Sequence, residues 1–595
     1  MSKANLKLEG FGDDIEEVDV ADLASGFSIL SASSSAFASP SGVSPAATPP
    51  RRTGTPTQSA TLPRNVVFNP LGSPSSPDLR EHKRPLYRPQ LSRSQTLPKL
   101  QHFEIKQKNT TRTEIEGLPV DLDVVSKLRR WILGIAIVDF DVDDGPVVNG
   151  VYPPLVLFPR EAENIAFSAF PDSSQFDQGS QSHSFRIRED QVSVTSDKRP
   201  ASKDGFIYGY SHFTQRKDSE SKRGYEQRSV VILTHLQLPS LFTHLCSMFG
   251  PLFQEHGIPM LEAACHNIAT WSDPIPGAFL ELGFLGNVLQ VEFPQNDDVQ
   301  QLTDTSSFRE KYDPKLHILA SSAPFFPPPL LLFEACLSNL WSIWECVVLC
   351  EPILVFGSSP AQTSQAIWFL RDLLRPIPLA GDIRPYFTIH DKDHSALVNK
   401  LPPKSGVLLG VTNPFFDRTC SHWPHILSLG KKISLQTATK GNHTPTAPGP
   451  APGWKTKLHK RYISKDRVLL KQLEDACRGT EQQKLDASLM LRRHFCSRTN
   501  ELILPLARYL NTLIPTPSEL INSGRKNGPP RLKPFNSINF FASLKAHGTT
   551  LPFRSTSKRT EFYEKWLKTP AFGLWLGQQE NIVQDVLKEN TARIS

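Results

Sequence analysis

The chain has 595 residues, 51 of them proline and 8 cysteine, with 66 Lys and Arg against 59 Asp and Glu, a formal net charge of +7. That length leaves room for several domains, and so many prolines mean that part of it is not core. So thin a positive surplus suits an acidic partner or an anionic membrane surface; without interleaved basic and aromatic residues it excludes a nucleic-acid binder.

Residues 1–117 read as a disordered tail. Ser, Ala, Pro and Thr dominate residues 31–98, so little apolar surface is available to offset chain entropy. Within the tail, Arg93-Ser94-Gln95-Thr96-Leu97-Pro98, phosphorylated at Thr96, would resemble a ligand for 14-3-3-type readers, whose basic groove pairs with a phosphate. The N-terminal residues contain no apolar run of the signal-peptide kind. The most hydrophobic window, residues 330–356, carries Glu334, Glu345 and Glu351, which a bilayer span would not readily hold. A soluble, cytoplasmic protein is expected.

Residues 118–272 predict a small α+β domain. A strand over residues 131–140, the turn Asp143-Asp144-Gly145 and a second strand over 147–152 make a hairpin. A short helix over 159–170, strands over 184–188, 206–214 and 227–236, and helices over 240–253 and 260–271 complete an antiparallel meander closed by helices.

Asp273-Pro274-Ile275-Pro276-Gly277 separates this domain from a second, residues 273–430, which opens with a hairpin over 279–285 and 288–293. Its centre is residues 327–415. Leu337, Leu340, Trp341, Trp344 and Val348 recur at helical spacing, and Glu351-Pro352 ends that helix because proline cannot donate to the ladder. Ile353 to Phe356 is a short all-apolar run, the pattern of a strand covered on both faces. Gly357-Ser358-Ser359-Pro360 supplies a turn and a hydroxyl cap for a helix over 361–374. Two more strands follow over 386–390 and 407–411. This is α/β grammar.

Residues 431–460, rich in Pro, Thr and Lys, read as a mobile insertion, and residues 461–595 as a helical region. There Thr480-Glu481-Gln482-Gln483 is a capping box. A separate helix over 502–513 is bent or started at Pro505, and helices over 561–567 and 576–587 close the chain.

Little of this is reactive chemistry. The cysteines stand singly, with no Cys-x-x-Cys pair, which argues against zinc or redox motifs and for a reducing compartment. The Gly357-Ser358-Ser359 turn lacks the lysine of a phosphate-binding loop, and no nucleophile elbow, zinc-protease motif or kinase loop is present. His390 and Asp391 are strand neighbours facing opposite sides, and His422 and His425 read as structural. No catalytic residue, metal or cofactor is predicted. One positional argument points to a site: if the core strands are parallel, their C-terminal ends meet on one edge, where α/β proteins place their sites. That edge gathers Ser358, Ser359, Asp391, Thr412 and Asn413, short polar residues that fit docking and that equally read as helix and turn caps.

Several strings together resemble the DENN domain-containing protein 6 family, with the Avl9 family more distant. They include Val138-Asp139-Phe140-Asp141 with Val151-Tyr152-Pro153-Pro154, Phe206 to Tyr210, Arg223-Gly224-Tyr225 and Leu261 to Cys265. The most specific are Arg384-Pro385-Tyr386-Phe387-Thr388-Ile389-His390-Asp391 and Gly410-Val411-Thr412-Asn413-Pro414-Phe415-Phe416. The helical region adds Lys471 to Leu473, Leu491 to Arg493, Leu504 to Leu506 and Pro529 to Leu532. The resemblance runs from Trp131 to Gln578 and omits the tail and the insertion. It implies a longin-like antiparallel sheet domain, an α/β DENN lobe and a helical C-terminal lobe. It further implies guanine-nucleotide exchange on a Rab-family small GTPase gripped by its switch regions between the first two lobes. Recruitment to recycling endosomal membranes, as a peripheral membrane protein, would follow. The alternative of another class is a longin–DENN scaffold that binds a small GTPase or trafficking complex without catalysing exchange.

Overall fold

Continuous buried runs build the first sheet. In the computed structural model, which describes residues 114–172, 178–190, 199–219, 224–308, 312–314, 316–431, 449–516, 519 and 532–594, helix α1 (Leu122–Leu128) leads into strands β1 (Gly134–Asp141) and β2 (Gly145–Tyr152). Asp141 Oδ1 accepts from the amides of Asp143 and Asp144 at 2.8 and 3.0 Å, closing the predicted hairpin turn, and Gly145 takes the positive φ that ends it. Then come α2 (Pro159–Ser168), β3 (Gly179–Arg188), β4 (Phe206–Lys217), β5 (Tyr225–Thr234), α3 (Pro239–His256) and α4 (Pro259–Ala269).

The strand order is β2-β1-β5-β4-β3, every neighbour antiparallel. This corrects the expected simple meander, because β5 returns beside β1 and makes it a central strand. The residues explain why. Ile135, Ala136, Ile137 and Val138 are buried on both sides of β1, whereas β2 is only half-buried and suits an edge. Ile135, Ile137 and Ile232 face α3 and α4, while Ala136, Val138 and Val231 face α2 and, from the next lobe, Tyr386. Ile115, just ahead of the predicted domain start, is buried in this core and packs against Gly150.

The second lobe opens with β6 (Phe279–Phe284) and β7 (Asn287–Glu292), joined through Leu285 and Gly286, both at positive φ. An unpredicted strand, β8 (His317–Leu319), pairs parallel to β7. A 3₁₀ stretch (Pro329–Asn339) runs into α5 (Leu340–Val348). Together Pro329–Val348 have the length and hydropathy of a membrane span, but 67% of the segment is buried against protein.

Next come β9 (Ile353–Phe356), α6 (Pro360–Leu374), β10 (Ile383–Arg384), α7 (His394–Leu397), β11 (Leu408–Val411), α8 (Phe415–Thr419), β12 (His425–Ser428) and β13 (Gly453–Thr456). The order is β10-β11-β9-β12-β13, parallel except at β12–β13. The strand expected over 386–390 is replaced by the two-residue β10, since Pro385 has no N–H to continue the ladder; one further bond, Phe387 N to Gly410 O at 2.8 Å, keeps the chain against β11. β13 lies within residues 431–460, the predicted insertion. Residues 432–448 of the insertion, and residues 1–113 of the tail with Thr96, lie outside the described residues.

The rest is helical: α9 (Arg467–Ala476), α10 (Glu481–Asn511), α11 (Ser537–His547), α12 (Thr556–Trp566) and α13 (Pro570–Ile594). The Thr480 capping box opens α10 as predicted, but the expected separate helix at Pro505 is absent, α10 running through it. The region packs onto α5, where the Trp344 indole donates to Thr499 Oγ1 at 2.9 Å and stacks over Phe562.

Candidate functional site

The predicted apolar strands β9 and β11 and the unpredicted β12 lie side by side and parallel, with Val411 and Ser428 both level with Phe356. The segments leaving β9 and β11 therefore emerge on one edge, and the extended continuation of β10 arrives beside them. All five residues singled out from the sequence lie on these three segments.

Their employment differs. Ser359 caps α6, its Oγ accepting from Gln362 N at 3.4 Å. Ser358 gives both its amide and its hydroxyl to Gln362 Oε1, at 3.1 and 3.0 Å. The Ser358 and Gln362 amides, which could have met an anion, are thus already engaged by side chains of the turn and helix. Thr412 Oγ1 donates to the Asp172 carbonyl at 3.3 Å, and Asn413 Nδ2 to Asp172 Oδ2 at 2.8 Å. Asn413 Oδ1 also accepts from Phe415 N at 2.9 Å, holding the bend at Pro414. Both residues therefore grip the first lobe just past α2. Tyr386 joins them: Asp172 N donates to its phenol oxygen at 2.8 Å, and the phenol donates to the Phe170 carbonyl at 3.2 Å.

Asp391 is buried, with Oδ1 accepting from Asp393 N at 2.8 Å and Oδ2 3.4 Å from Arg384 Nη1. Burial raises its pKa above the ordinary carboxylate range against the pull of Arg384. It is part of a charge lattice between the lobes. The buried Arg384 forks onto Asp382 at 2.8 and 3.0 Å and also reaches Asp393. From β3, Arg188 meets Asp393 at 2.9 Å, and Arg186 reaches Asp382 and Asp204 while its guanidinium covers the Phe206 ring at 3.5 Å. Burial alone would lower the Arg384 pKa; the three carboxylates instead hold it above the usual value.

The edge leaves two large apolar side chains to solvent beside the exposed Ser358 and His390. Ile389 is 39% and Phe415 45% exposed. The exposed His390 stacks on the half-buried Phe167 of α2 at 3.8 Å, so the first lobe shares the surface. An apolar patch with polar neighbours, built by two lobes on rigid strand ends, is suited to docking another protein. Sequence reasoning missed Asp172, Tyr386, Ile389 and Phe415; an aromatic pair directly after Asn413-Pro414 was a readable hint of the last. Away from this edge, Cys346, Glu351 and His459 are placed closely enough to hold a metal ion.

No protein-family model matches the chain. Among curated proteins it is similar to Protein DENND6B of Homo sapiens, 31% identical over 483 residues, 76% of this chain and 80% of that protein. Protein DENND6A of Gallus gallus is 30% identical over 511 residues, 80% of this chain and 84% of that one. Protein DENND6 homolog of Dictyostelium discoideum is 28% identical over 531 residues, 77% and 72% of the two chains.

Proposed function

The chain belongs to the DENND6 family, and from that premise we propose that it promotes GDP release from a Rab GTPase at endosomal membranes. One observation carries the reading: the strand-end edge is shared by both lobes and offers Ile389 and Phe415 to solvent beside His390 and Phe167. An exchange factor makes no covalent bond. It binds the nucleotide-free GTPase more tightly than the loaded one, and reciprocity then weakens the nucleotide. A ten-thousand-fold acceleration needs about 5.5 kcal/mol of preference for the release transition state. Broad apolar contact with mobile switch loops can supply it without a triad or an ion.

The mild positive charge is compatible with peripheral recruitment to an anionic membrane from the cytoplasm. A phosphorylated Thr96 would add a separate handle for 14-3-3-type readers.

Release of labelled GDP across a panel of purified Rabs tests the proposal. Phe415→Asp and Ile389→Asp should each slow release by the responsive Rab roughly thirtyfold, about 2 kcal/mol, with the melting temperature unchanged. Binding of a Rab without accelerated release would replace exchange with scaffolding. Full exchange by both variants would move the interface elsewhere.

A further inference from the structure

At the opposite, N-terminal edge of the central sheet, a thiol, two imidazoles and two carboxylates converge. α5 supplies Glu345 and Cys346, the turn after it Glu351, β12 His425, and the chain just past β13 His459. Cys346, Glu351 and His459 each place a donor atom within 4.8 Å of the other two. Thiol, imidazole and carboxylate together are the donor set that zinc takes.

Two of the three donors, His459 and Glu351, have a polar side chain set against them from behind. His459 Nε2 lies 2.7 Å from Glu345 Oε2. Glu345 is fully buried and held by the amides of Tyr462 and Ile463 at 2.9 and 2.6 Å. With Nε2 so engaged, His459 turns Nδ1 toward Glu351, 3.8 Å away. His425 Nε2 approaches Glu351 Oε2 at 2.6 Å while its Nδ1 pairs with Thr456 Oγ1 at 2.9 Å. His425 and the Cys346 thiol thus both lie against the half-buried Glu351 carboxylate. Thiol, carboxylate oxygen and imidazole nitrogen therefore face one another closely enough for a cation to replace the protons between them.

We propose that Cys346 Sγ, Glu351 and His459 Nδ1 bind a single zinc-type divalent cation, with Glu345 and His425 orienting the ligands. Ligand distances of about 2.0–2.3 Å require the donors to draw in by about 1 Å, within reach of side-chain torsions. Binding converts the Cys346 thiol to a thiolate and releases its proton to solvent. The two ligand charges, thiolate and Glu351, then balance the cation. A small pocket lined by Val347, Cys350, Glu351, Arg371, Ala380 and Gly406 lies on the Glu351 side of the site. The cation would pin α5, the β12–β13 pair and the entrance to the helical region together. The proposal stands independently of the exchange reading.

The untagged full-length chain, stripped of metal and reloaded with zinc, should retain about one zinc per chain through gel filtration. Cobalt in its place should give a thiolate-to-metal charge-transfer band. Cys346→Ser should abolish that band and His459→Asn should lower retention at least tenfold, while Cys336→Ser, a buried thiol elsewhere, should change neither. A cooperatively melting wild-type chain that keeps under roughly a tenth of an equivalent would overturn the proposal. So would a Cys346→Ser variant that retains the cobalt band.

Discussion

Asn413 uses both ends of its amide, donating across the lobe boundary to Asp172 and accepting from Phe415 N. Removing it strands a half-buried carboxylate oxygen and loosens the bend that presents Phe415. Asn413→Ala should therefore lower unfolding stability by about 1–2 kcal/mol, read from denaturant melts. An unchanged melt would mean that the boundary bond contributes nothing. The position of Asn413 was legible in the sequence, because an all-apolar run followed by Thr-Asn-Pro marks the end of a buried strand. Its partner was not. Asp172 lies 241 positions earlier, and a contact across that distance leaves no local periodicity to read. Asp391 likewise showed its turn-capping chemistry but not its burial, which follows from the packing of a second lobe.

At the scale of elements, the long apolar or amphipathic segments were legible and the shortest strands were not. β9 and β11 declare themselves through unbroken hydrophobicity; β8 is shorter still, and β13, as long as β9, lacks an apolar run. Pro385 shortened β10, yet Pro505 failed to break α10. Chain context decides this: one missing bond costs a two-residue strand its continuation, but is a small loss in a helix of 31 residues packed on α5 and α6. There the Tyr563 hydroxyl donates to the neighbouring Leu502 carbonyl at 2.9 Å. Gly410 shows how tightly β10 and β11 approach. A Cβ there would lie 2.3 Å from the Pro385 carbonyl oxygen. Backbone cannot swing aside as a side chain can, so Gly410→Ala should cost about 3 kcal/mol and lower the melting temperature clearly. A wild-type melt from that variant would show that the two segments are not locked.

For the whole molecule, the first lobe, the central lobe and the helical region share one apolar core that also takes in Ile115. The composition of the tail, legible in the sequence, drew the fold boundary at residue 118; a single isoleucine ahead of it is invisible to a compositional argument. A chain beginning at residue 118 should accordingly be about 2–4 kcal/mol less stable than one beginning at 114, and equal melts would place Ile115 outside the cooperative unit. The lobes are also joined by the Arg384 lattice, in which one guanidinium engages Asp382, Asp391 and Asp393 while Arg186 and Arg188 reach the same acids from the other lobe. No single carboxylate there is indispensable, since each cation keeps a partner when one acid is neutralised. Sequence drift at any one of these aspartates would then go almost unnoticed, and the penalty would fall on the second change, after the redundancy has been spent.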